Sequence, residues 1–171
     1  MEQQTGKSIA LRYGHIESAL AEIMKVLPAD AKAFHAGLRH FRNIGVPAGL
    51  PAPGKGQAIK YTRAQAFELL IAVSLQKAGY GPTIAGKIAG GLNEGYQQAQ
   101  HQDVRDDVYG YVYSAKTGSK QEALSYFAAY GDIAKNIKAF VDDSAIPVIT
   151  LLNLSELDRM LQVALDKQIY I

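Results

Sequence analysis

Apolar residues recur along this chain in two rhythms, and the change between them falls near residue 100. Before that point they lie three and four apart, as on one face of a helix. Ile16, Leu20, Ile23, Met24 and Leu27 form such a face and predict a first helix over about 16–26. Pro28 ends it, Asp30 is a fair N-cap, and Phe34, Leu38 and Phe41 or Ile44 predict a second helix over about 31–43. Gly45 followed by Pro47 stops that helix. The short Pro-Ala-Asp connection makes the pair resemble a helix-turn-helix. Residues 46–60 are dense in Gly and Pro and cannot continue a helix, while Ala58–Tyr61 reads as the return strand of a short hairpin. Thr62 and Gln65 make a capping box for a third helix, whose apolar face carries Phe67, Leu70, Ile71 and Leu75. Gly81-Pro82 opens a fourth over about 83–99, with Ile84, Ile88 and Leu92 inward. Its glycines at 86, 90, 91 and 95 either permit close packing or break it near Gly90, since each costs about 1 kcal/mol relative to Ala.

Beyond residue 100 the period shortens. Val108–Tyr113 alternates and reads as a strand with Tyr109, Tyr111 and Tyr113 on one face, expected to pack against a helix. Leu124, Phe127, Ile133, Ile137 and Phe140 predict one helix over 121–141. The β-branched run Ile146–Leu152 reads as a buried strand, and Ser155 with Asp158 as the cap of a last helix through Leu157, Leu161, Val163 and Leu165. The fold class is α+β and mostly helical. Residues 1–99 form a helical head, and residues 100–171 a small strand–helix–strand–helix tail suited to dimerisation or regulation.

Charge sharpens this division. The formal net charge is only +2, but residues 1–92 hold 11 Lys/Arg against 5 Asp/Glu, and residues 93–171 hold 7 against 11. A basic module joined to an acidic one suits a nucleic-acid-binding head with a regulatory tail; uneven surface charge is the competing account. The absence of Cys removes disulfides, thiolate zinc sites and cysteine nucleophiles. No apolar run approaches the ~20 residues that cross a bilayer. The opening MEQQTGKSIALRYGH lacks the apolar core of a secretory signal. The expectation is a cytoplasmic protein without a membrane partner.

The candidate chemistry is electrostatic. Lys32, His35, Arg39 and Arg42 lie three, four and three apart, on one stripe of the second helix, with His40 beside them. Such a stripe can enter a major groove and reach phosphates and guanine edges; a solvated amphipathic face is the alternative. The loop after this helix carries Lys55 and Gln57 at a Gly-rich tip, with Lys60, Tyr61 and Arg63 on its return, all competent phosphate contacts.

Residues 38–89 resemble the DNA-binding domain of the MerR superfamily of winged-helix regulators. LRHFRNIGVP resembles its second helix and the Gly that leads to the wing; Tyr61-Thr62, Leu75 with Gly79, and Ile84 with Ile88 match the family's pattern beyond the wing. The resemblance implies a recognition helix over about 31–43 carrying Arg39, His40 and Arg42, and a wing over about 47–61. Lys55 would lie at the wing tip and Tyr61 near the DNA backbone. It implies a sequence-specific double-stranded DNA-binding transcription regulator acting as a homodimer, with RNA polymerase a further candidate partner. Two departures stand out. About fifteen residues precede the first helix, and the long dimerising coiled-coil helix is replaced by the strand–helix tail. A MerR-like head on a small α/β tail resembles bacterial and phage-type regulators.

Other motifs fail on spacing. Thr5-Gly6-Lys7-Ser8 lacks the first Gly and the preceding strand of a phosphate-binding loop. His35 and His40 are five apart, not four, and His101 with Asp103, Asp106 and Asp107 reads as a solvated turn. Ser74 and Ser125 have no triad context. The sequence therefore points to no enzyme, metal or cofactor. An excisionase-like architectural factor and a protein-interaction adaptor without DNA binding stay open as alternatives.

Overall fold

The computed structural model describes residues 11–50, 59–102, 104, 106–117, 121–143 and 149–169. Among these the chain forms six α-helices and two small antiparallel sheets, an α+β architecture. A two-residue strand β1 (Leu11–Arg12) leads directly into α1 (Tyr13–Ile23). One turn of 3-10 helix at Pro28–Asp30 joins it to α2 (Ala31–Asn43). The return strand β2 (Lys60–Tyr61) pairs with β1, Leu11 opposite Tyr61 and Arg12 opposite Lys60. The expected return strand thus closes on the residues before α1, while 51–58 lie outside the described residues.

The capping box forms as the sequence predicts. The Gln65 amide donates to Thr62 Oγ1 at 3.1 Å and the Thr62 amide to Gln65 Oε1 at 3.0 Å, at the start of α3 (Arg63–Lys77). Every residue from Ala66 to Val73 is buried, so α3 is the central helix rather than a surface one. Helix α4 (Pro82–His101) runs unbroken through its glycines. Gly91 and Gly95 are where it meets the second sheet: a Cβ on Gly91 would collide with the Tyr126 ring, and one on Gly95 would come within 2.9 Å of the Ala128 Cβ. Close packing, rather than a break, accounts for them.

The second sheet has the order β4-β3-β5, from β3 (Val108–Thr117), β4 (Gln121–Tyr130) and β5 (Ile149–Asn153), all antiparallel. This corrects the expected single helix over 121–141. Residues 121–130 form a strand, and only Ile133–Asp143 is helical (α5). Gly131 breaks the segment at φ +88°, and Asp132 caps the new helix, its Oδ1 accepting from the Ala134 and Lys135 amides at 2.9 and 3.2 Å. Val108 and Val112 join the main core. On the opposite face Tyr111 is fully buried, stacks on Phe127 at 4.9 Å, and its hydroxyl lies 3.4 Å from the Asn136 side-chain nitrogen on α5. Of the tyrosine row, Tyr111 meets a helix there, while the Tyr113 ring meets Phe127 edge-on.

The cap of α6 (Leu154–Ile169) is also corrected. The helix begins one residue before Ser155, and Asn153 Oδ1 accepts from the Glu156 amide at 2.9 Å. Ser155 Oγ is taken instead by the Val108 amide, at 2.9 Å. Leu161, Ala164 and Leu165 of α6 lie in one continuous core with Ile16 and Leu20 of α1 and Leu70 of α3. The hydrophobic core therefore runs across residue 100.

Candidate nucleic-acid interface

The basic residues of α2 divide between its exposed face and the edge of the same stripe that borders α1. Leu38 and Phe41 anchor it in the core, and Lys32, Arg39 and His40 are exposed. His35 and Arg42, seven apart and so almost superposed along the axis, lie along the edge beside α1. His35 Nδ1 is 3.3 Å from Glu17 Oε1. The Arg42 guanidinium sits 4.8 Å above the Tyr13 ring, and Tyr13 stacks on Tyr61 with centroids 5.8 Å apart. Burial raises both tyrosine pKa values: Glu17 raises Tyr13 further, and the Arg42 charge opposes the rise at Tyr61. Tyr61 is only 2% exposed, so its ring offers almost no surface for direct contact with a phosphate. Arg42 is a cation–π clamp that fixes the orientation of α2.

The loop after α2 is tied down at both ends. The Ala48 amide donates to Glu68 Oε1 at 3.0 Å, and Gln65 Nε2 donates to the Ala48 carbonyl at 3.1 Å. These two side chains are one turn apart on α3, so one helix face holds the outgoing strand of the loop. The return end is held by the β1–β2 ladder. Lys55 and Gln57, the expected wing-tip contacts, lie outside the described residues. Lys60 is exposed. Arg63 turns toward the tail instead: it forms an ion pair with Asp158 Oδ2 at 2.8 Å, and the Tyr96 hydroxyl donates to the same oxygen at 3.1 Å. Burial, then the Asp158 charge, pushes the Tyr96 hydroxyl up to about 12.

Glu68 is the one buried charged residue among the described residues. Burial raises its carboxyl above the ordinary range, although the Ala48 amide and the Asn93 side chain favour the ionised form. It lines a cleft of about 330 Å³ with Ile44, Val46, Thr83 and Lys87.

One exposed cation has no signal in the sequence pattern. Arg12 faces Lys60 across the ladder, both outward, while Leu11 and Tyr61 face in. A two-residue strand is too short to show alternation, and only its pairing identifies its outer face.

No family model and no curated protein matches the chain. The functional reading therefore rests on the geometry of the chain itself. Among the described residues, no group of three or more His, Asp or Glu is placed to hold a metal, and no helix is long and apolar enough to cross a membrane. The exposed cations gathered on these two elements are Lys32, Arg39 and His40 on α2 and Arg12 and Lys60 on the ribbon.

Proposed function

We propose that the protein binds double-stranded DNA as a winged-helix, MerR-like transcription regulator, with α2 in the major groove and the loop over 47–61 as the wing. The observation that carries this reading is the division of α2. Its inner side is pinned by Leu38, Phe41 and Arg42, while Lys32, Arg39 and His40 point outward without an ion-pair partner among the described residues. A helix fixed on one side and cationic on the other is what groove docking requires. Two copies paired through their tails would present two such helices to half-sites about 34 Å apart. RNA polymerase is a further proposed partner, reached once the head is on its site.

Fluorescence anisotropy on mixed genomic duplexes, titrated from low to physiological salt, tests the reading. Binding with a steep salt slope, and one fragment that resists salt, is the expected result. No binding at low salt would falsify it and favour an acidic protein as the partner of the same face.

A further inference from the structure

We propose that Arg12 and Lys60, opposed on the outer face of the β1–β2 ribbon, form a seat for one phosphate of a duplex backbone. This rests on the DNA-binding reading and adds a contact from the chain before α1, outside both the helix and the loop. The two residues are directly opposite in the register and both exposed, and neither has an ion pair among the described residues. Directly opposed side chains in an antiparallel ladder have Cβ atoms about 4.5–5.5 Å apart, where like charges destabilise the pairing. A ribbon of two residue pairs has little stability with which to offset that repulsion. A phosphate between the cations converts the repulsion into two attractions. Arg12 can present its planar fork to two phosphate oxygens, and Lys60 supplies a point charge from the facing strand. Arg12 also immediately precedes α1, whose first turn has neither a side-chain cap nor an acidic residue, so its amides add to the positive field of the opposed cations.

The position gives the seat a use. The ribbon closes the return end of the loop, and Leu11 and Tyr61 root it in the core. A phosphate held there fixes the base of the wing against the duplex while α2 contacts the groove. Such a contact adds affinity without sequence preference.

The test is duplex binding by the full chain carrying Arg12→Gln, Lys60→Gln, both together, or Arg12→Lys, across a salt titration. Each Gln variant should weaken binding several-fold, alike on all sequences. The double variant should lower the salt slope by about one, because a single phosphate contact is lost. Arg12→Lys should keep the slope. Melting of the free protein at low salt should be unchanged or slightly raised in Arg12→Gln, since a repulsion is removed. Unchanged affinity and slope in Arg12→Gln, with Arg39→Ala still weakening binding, overturns the seat and leaves the proposed function standing. Absence of duplex binding by the unaltered protein overturns both. A melting temperature raised by inorganic phosphate above chloride of equal ionic strength in the unaltered protein but not in the double Gln variant, together with duplex binding indifferent to Arg12→Gln, assigns the seat to free phosphate and overturns the backbone contact.

Discussion

The outer side of α2 and the seam between α6 and the head use the same charged residue types in opposite ways. In the seam charges meet partners from across the fold: Arg63 and the Tyr96 hydroxyl converge on Asp158, and Lys167 pairs with Glu22. On α2, Lys32, Arg39 and His40 stand outward and unpaired among the described residues, while His35 and Arg42 are drawn to Glu17 and Tyr13. A charge satisfied within the chain contributes to one arrangement of helices. A charge left over adds little to stability, and its value lies in what it attracts. The contrast predicts that seam substitutions change melting and spare duplex binding, whereas outer-face substitutions do the reverse.

The sharpest challenge is Asp158→Ala, which removes a mostly buried acceptor from two donors at once. We expect a loss of about 2–3 kcal/mol, or roughly 4–12 °C in Tm for a chain of this size, with the affinity of the folded protein for DNA unchanged. A weakened duplex complex at temperatures where the variant is folded would erase the distinction.

Arg39 and Arg42 divide the same helix. Arg39→Ala should cost about 1–3 kcal/mol of specific binding if it reads a base edge, with stability changed by less than about 0.5 kcal/mol. Arg42→Ala should instead lower stability by about 1–2 kcal/mol, through loss of the contact over Tyr13. Thermal melts beside anisotropy separate the two, and an Arg42 effect confined to binding would return it to the groove-facing set.

Glu68 allows a finer test. Its folded carboxyl holds its proton more tightly than the unfolded chain's does, so the folded state carries more protons in the window above the ordinary carboxylate value. Stability should therefore fall as pH rises through that window. Glu68→Gln keeps an oxygen for the Ala48 amide and removes the buried charge, so the slope should flatten with no loss of stability at neutral pH. Urea melts at several pH values read this directly, and an unaltered slope in the variant would locate its source elsewhere. The smallest effect is expected from Lys167→Ala. Its pair with Glu22 is half exposed and should be worth under about 0.5 kcal/mol.

Where a residue's neighbours in sequence decide its state, the sequence is a good guide. The Thr62–Gln65 box, most of the apolar faces of α1 to α4 and the alternation that begins β3 are local patterns that appear in the structure; Leu27 and Ile84, placed on those faces by spacing, are exposed. Helical spacing between Phe127 and Ile133 misled because it was counted across Gly131-Asp132; a ladder with β3 outweighed local preference over 121–130. The candidate site divides in the same way. That α2 is basic can be read from the chain. That Arg42 and Tyr61 turn inward, Arg63 bonds to the tail and Arg12 stands opposite Lys60 depends on partners distant in sequence. A side chain's position along a helix is fixed by 100° per residue, but its contacts are set by the helix packed against it. Periodicity carries the first kind of information and none of the second.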